Sequence, residues 1–80
     1  MRIPRDLSSA DLVKRLGKLG YAISRQTGSH LRLTRNEGGE HHVTIPNHDP
    51  LRIDTLAAIL DSVAKHRGVS RDELLELLLG

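Results

Sequence analysis

The 80-residue chain contains no cysteine, so neither a disulfide nor a thiolate-bound metal can hold it together. That composition suits a reducing compartment. Phenylalanine and tryptophan are also missing, and Tyr21 is the only aromatic residue, which argues against the stacking platforms used by single-strand binding proteins. No apolar run approaches the ~18 residues that a membrane span needs. The opening Met1-Arg2-Ile3-Pro4-Arg5-Asp6 lacks the apolar stretch of a secretion signal. Repeats, low-complexity tracts and internal linkers are absent as well. These absences lead to the expectation of one soluble cytoplasmic domain over residues 1–80, with no membrane partner. A domain this small must bury most of its apolar side chains to be stable.

The charge that is present is unevenly placed. The net charge is +2, yet residues 1–35 carry Arg2, Arg5, Lys14, Arg15, Lys18, Arg25, Arg32 and Arg35 against Asp6 and Asp11. Residues 36–80 reverse the balance in favour of carboxylates. A basic half of this kind suits a polyanion, although solvated helix faces would produce the same pattern.

Hydrophobic spacing gives the elements. Ser8 is placed to cap a helix over about Ser9–Leu19, with Asp11 approximating a capping box and Leu7 placed to staple onto Leu12. Leu12, Val13, Leu16 and Leu19 line one face and Lys14, Arg15 and Lys18 the other. Gly20 marks the end. Gly17, inside the helix, costs about 1 kcal/mol relative to alanine, which is tolerable if a neighbour packs close there. Three strands follow, over about Tyr21–Thr27, His30–Arg35 and His42–Ile45, with Asn36-Glu37-Gly38-Gly39 as a hairpin turn. Alternation puts Ile23, Leu31, Leu33, Val43 and Ile45 on one side of the sheet, and His30, Arg32, Thr34, His42 and Thr44 on the other. Asp54 is placed to cap a second helix carrying Leu56, Ile59, Leu60 and Val63, which ends in Lys65, His66, Arg67 and Gly68. Ser70 and Glu73 form a capping box for a third helix, Arg71–Leu79, whose leucines either wrap the core or offer an apolar patch. The order α-β-β-β-α plus an appended helix predicts an α+β fold: a three-stranded antiparallel sheet with helices on one face.

The candidate chemistry lies at Gly28-Ser29-His30, a turn that feeds the second strand. A titratable imidazole, Arg32 on the same strand face and a glycine that permits close approach together suit a phosphodiester. An RNA strand can be cut without metal when its 2′-hydroxyl attacks the adjacent phosphorus. One group takes that proton and another protonates the leaving 5′-oxygen. Histidine, with an ordinary pKa near 6.5, serves either step. A lone histidine at a strand end is ordinarily a surface residue; the alternative is that His30 transfers protons, with the Gly28 and Ser29 amides and Arg32 steadying phosphate charge. His42 is a candidate second proton-transfer group, His48 a substrate contact, and His41 an edge of the core. Lys14, Arg15 and Lys18 are expected to track phosphates. No histidine spacing matches a zinc site, so no metal or other cofactor is expected.

Three segments carry a family resemblance: Leu16-Gly17-Lys18-Leu19-Gly20-Tyr21 running into Arg25-Gln26-Thr27-Gly28-Ser29-His30, then Val43-Thr44-Ile45-Pro46-Asn47-His48, then Asp54-Thr55-Leu56 with Ile59-Leu60. Over a core of about residues 8–68 the chain resembles the HicA toxins of bacterial toxin–antitoxin pairs, with residues 69–80 appended. The resemblance implies a fold similar to a double-stranded RNA-binding domain. It also implies a metal-independent ribonuclease that cleaves mRNA and is held inactive by a HicB-like antitoxin, with His30 as the catalytic residue. Asp54 stands where that family often has glycine. Two other readings are a non-cutting RNA-binding module and a structural subunit that pairs through its leucine-rich tail. The first is disfavoured by Asp54-Thr55-Leu56-Ala57-Ala58, which has no lysine where such modules meet phosphate. The second leaves the Gly-Ser-His turn unexplained.

Overall fold

The computed structural model describes residues 3–79, so Met1, Arg2 and Gly80, and with them the start of the basic half, lie outside the described residues. The elements are α1 (Ser9–Gly17), β1 (Ala22–Gln26), β2 (His30–Arg35), β3 (His41–Pro46), α2 (Ile53–Arg67) and α3 (Arg71–Leu79). The sheet is antiparallel in the order β1-β2-β3. This is the α+β, double-stranded-RNA-binding-domain-like arrangement that the pattern predicts.

Ser8 caps α1 as expected, its Oγ accepting from the Asp11 amide at 3.1 Å. The helix ends earlier than Leu19 because its last turn tightens, with the Lys18 amide reaching Arg15 O at 3.1 Å. The Gly20 amide then bonds Gly17 O and the Tyr21 amide Leu16 O, each at 3.2 Å. With Gly20 at φ 95°, this is a Schellman stop. Gly17 is exposed, and a Cβ added there would meet no atom within 4 Å. No neighbour therefore packs close there. Gly17→Ala is expected to stabilise the protein by about 0.5–1 kcal/mol, read as a higher urea midpoint at unchanged slope.

In the sheet, Leu31 faces Ile45 and Leu33 faces Val43 across β2–β3, all four buried. His30, Arg32 and Thr34 lie opposite Pro46, Thr44 and His42 on the outward side. Ile23 departs from expectation. Register places it beside Leu33 on the helix side, yet it is 47% exposed, at the open edge of a strand whose five residues are all exposed. After Ile23 the pairing slips by one residue, a β-bulge at Ser24 that simple alternation does not foresee.

Asp54 is not a cap. The N-cap of α2 is Arg52, which has no side-chain capping bond, and Asp54 sits in the first turn. There its charge suits the helix dipole and pairs with Arg52 at 3.3 Å. Gly68, at φ 72°, closes α2 as expected.

The capping box of α3 is complete, Ser70 N–H to Glu73 Oε1 at 3.2 Å and Glu73 N–H to Ser70 Oγ at 3.1 Å. Leu74, Leu75 and Leu78 are buried with Leu12, Leu16, Leu56, Leu60 and Val63 in one core. Among the described residues the leucine-rich tail therefore wraps its own core and leaves only Leu77 of its leucines well exposed. Two polar ties hold it there. Arg71 forks onto Asp61 of α2 at 2.7 and 2.6 Å, and Arg15 Nη1 donates to Leu78 O at 3.0 Å.

Candidate active site

The β1–β2 turn is closed by the Thr27 amide donating to His30 O at 2.9 Å, while the His30 amide donates to Thr27 Oγ1 at 3.1 Å. This fixes the backbone of His30 at the mouth of β2 and leaves its side chain exposed. Ser29 Oγ lies 2.9 Å from His30 Nδ1, and Nε2 has no partner among the described residues. A hydroxyl can either donate or accept, so this contact orients the ring without locking its tautomer. Such a ring can take up a proton and give one back through Nε2. Gly28 has no positive φ, and a Cβ built there would touch nothing within 4 Å. The fold itself makes no demand for glycine here, and the space above the turn is open to a ligand's backbone.

The loop after β3 is brought to the same place. Pro46 pairs with His30, and the Asn47 amide donates to Ser29 O at 2.9 Å. Ser9, buried at the start of α1, fastens the loop from below: its amide donates to His48 O at 2.9 Å and its Oγ to Asn47 Oδ1 at 3.0 Å. His48 is exposed on this anchored loop, next to the Gly-Ser-His turn. Sequence reasoning missed Ser9 and Asn47, since the bonds that tie them to this end are long-range.

His42 is elsewhere. It faces Thr34, four residues beyond His30 along β2, roughly 13 Å away at the strand rise of about 3.3 Å. Both its nitrogens are engaged: Nδ1 by Thr34 Oγ1 at 2.7 Å and Nε2 by Glu40 Oε1 at 3.1 Å. His42 is therefore too distant to share one phosphodiester with His30. Among the three helix cations, Arg15 is committed to the α3 carbonyl, whereas Lys14 and Lys18 are exposed. Lys18 stands beyond the end of α1 remote from Ser9, some 13 Å along the helix.

His41 edges the core as expected. Its Nδ1 lies 2.6 Å from the Tyr21 hydroxyl and its Nε2 3.2 Å from Ser62 Oγ. Its ring stacks on His66 with centroids 4.3 Å apart. Burial raises the Tyr21 pKa, against the pull of Arg35 and Arg67, so the phenol remains a donor. Burial, then the charges of His66, His42 and Arg35, push the His41 pKa below its ordinary value. The unfolded chain thus binds a proton at His41 more readily than the folded one does. Stability from this site is full above about pH 6.5 and is lost as pH falls through the folded-state value. The urea midpoint is expected to fall between about pH 7 and about pH 5, and to fall less in His41→Gln. Asp61 acts in a separate window. Its hydrogen bonds to Arg71 lower its pKa, so its contribution disappears only below the carboxylate range.

Among the described residues no three His, Asp or Glu side chains converge where a metal ion could sit, and no helix is long and apolar enough to cross a membrane. Comparison with known proteins gave no match among curated proteins and none among solved structures. Residues 9–65, which run from the first turn of α1 to near the end of α2 and include the Gly-Ser-His turn and its facing loop, match the HicA toxin of bacterial toxin–antitoxin systems. The chain belongs to the HicA toxin family and is the toxin of a toxin–antitoxin system.

Proposed function

We propose that this toxin is a cytoplasmic, metal-independent endoribonuclease that cleaves mRNA, with His30 as its proton-transfer catalyst, and that a HicB-like antitoxin neutralises it. The observation that carries this reading is the exposed His30 ring, oriented through Nδ1 by Ser29 and open at Nε2. In the reaction the 2′-oxygen of a ribose bonds to the adjacent phosphorus and the bond to the 5′-oxygen breaks, leaving a 2′,3′-cyclic phosphate. His30 takes the 2′-hydroxyl proton. His48, on the loop fastened to Ser29, supplies the proton to the departing 5′-oxygen. The Gly28 and Ser29 amides and Arg32 steady the charge that builds on the phosphorane oxygens. Lys14 adds sequence-independent attraction that weakens with salt. An antitoxin that covers the Gly-Ser-His turn would inhibit by occlusion.

The test is expression of the toxin alone and together with a HicB-like antitoxin, scored by growth and by the integrity of total RNA. Degraded mRNA in the first culture and intact mRNA in the second are expected. Growth arrest with intact RNA would overturn the ribonuclease reading.

A further inference from the structure

The geometry points to a single-stranded RNA backbone crossing the outward face of the sheet, with Arg32 at the phosphate on which His30 acts and Arg25, beside it, clamping the backbone toward the next phosphate. This rests on the reading of the His30 end as an RNA site and extends it to a residue outside the Gly-Ser-His turn.

Arg25 and Arg32 are directly opposite each other across β1 and β2, and both are exposed. Like charges in that relation destabilise a sheet. No carboxylate is paired with either, since among the described residues neither guanidinium has an ion-pair or hydrogen-bond partner. The pairing arises from the bulge. In unbroken register Ser24 would oppose Arg32, and Arg25 would oppose Leu31 on the helix side. The slip after Ile23 instead sets Gln26 against Leu31 and turns Arg25 outward. The bulged Ser24 is bonded in place, its Oγ donating to Arg32 O at 3.2 Å and accepting from Thr34 Oγ1 at 2.8 Å. The fold therefore accepts a bulge whose result is two unpaired arginines side by side.

Their position and surroundings select the ligand. Arg32 is two residues from His30 on the same strand face, about 6.6 Å away. The arginines line an open groove of about 500 Å³ together with Ser24, Thr34, Asn36, His42 and Glu40. Glu40 is engaged by His42 at 3.1 Å, which leaves the two guanidinium groups and the hydroxyls to meet phosphate oxygens and ribose. The apolar and aromatic anchors on which protein interfaces depend are missing, apart from Ile23 at the rim. With no aromatic on this face, bases are not stacked, so the clamp reads backbone and not sequence.

The test uses a short 2′-O-methyl oligouridylate, which cannot be cut by 2′-hydroxyl attack, titrated against wild type, Arg25→Gln, Arg32→Gln and Arg25→Lys across a range of salt. Each glutamine variant is expected to flatten the slope of log Kd against log salt by about 0.7, and Arg25→Lys to restore it. The thermal midpoint of Arg25→Gln should be unchanged or higher, because a like-charge contact is removed. An unchanged salt slope in Arg25→Gln, or no binding by wild type, would overturn the clamp. A polyglutamate peptide that binds wild type as tightly and loses affinity equally in Arg25→Gln would overturn the assignment to RNA. Cleavage of unmodified RNA by the same preparations separates the two readings. A wild type that cuts RNA while Arg25→Gln keeps its salt slope defeats the clamp alone. Expected slopes with no cutting defeat only the nuclease reading.

Discussion

Replacing His30 by alanine is expected to slow RNA cleavage by roughly 10²–10⁴-fold, which corresponds to a barrier raised by about 3–5 kcal/mol. The thermal midpoint should move by no more than about 1 °C, because the side chain is exposed and surface changes of this kind cost little. The two measurements have to be read together. Among the described residues the His30 ring hydrogen-bonds only to Ser29, so removing the ring takes away proton transfer and leaves the turn, which backbone and Thr27 bonds close. A variant that keeps cleavage within about tenfold of wild type would remove His30 from the chemistry. A variant that loses activity together with its fold would show the residue to be structural.

Leu74→Ala is expected to destabilise the protein strongly. Leu74 is fully buried, and truncating such a leucine costs about 2–5 kcal/mol. A domain of this size has roughly 5–10 kcal/mol to lose. The expected fall in thermal midpoint is about 10 °C or more, with Leu77→Ala, on the exposed side of the same helix, within about 2 °C of wild type. Equal effects at the two positions would mean that α3 does not pack as described. The result matters because the family match ends at Lys65, before α3 begins. Leu12 and Leu16 of α1 and Leu60 and Val63 of α2 share one core with α3, so the family-matched segment of this chain is closed by residues outside it.

The features legible in the sequence were those set by local spacing. Ser8, the Ser70–Glu73 box and the two glycine stops act within a few residues of themselves, and all are found. Alternation in β2 and β3 sorted Leu31, Leu33, Val43 and Ile45 from His30, Arg32, Thr34 and His42 correctly, because those strands pair without interruption. Alternation failed in β1, where one extra residue breaks the period. It also could not foresee that β1, as the edge strand, would leave Ile23 uncovered. The cap of α2 was misplaced by two residues, at Asp54 instead of Arg52, because acidic residues favour both the cap and the first turn of a helix. Long-range polar ties were invisible. Nothing near Arg15 in the sequence signals a bond to Leu78 O, and nothing near Ser9 signals its bonds to the Asn47–His48 loop.

The slipped register of β1 has a consequence for how the length of this strand can change. In a two-sided ribbon, sidedness downstream of an odd residue depends on the count of residues and not on their identity. Removing Ser24 alone would close the bulge and leave Arg25 opposite Arg32 and Gln26 opposite Leu31, so both surfaces would be kept. Drawing Ser24 into the ladder at unchanged length would instead turn Arg25 toward Leu31 beneath the sheet and Gln26 away from it.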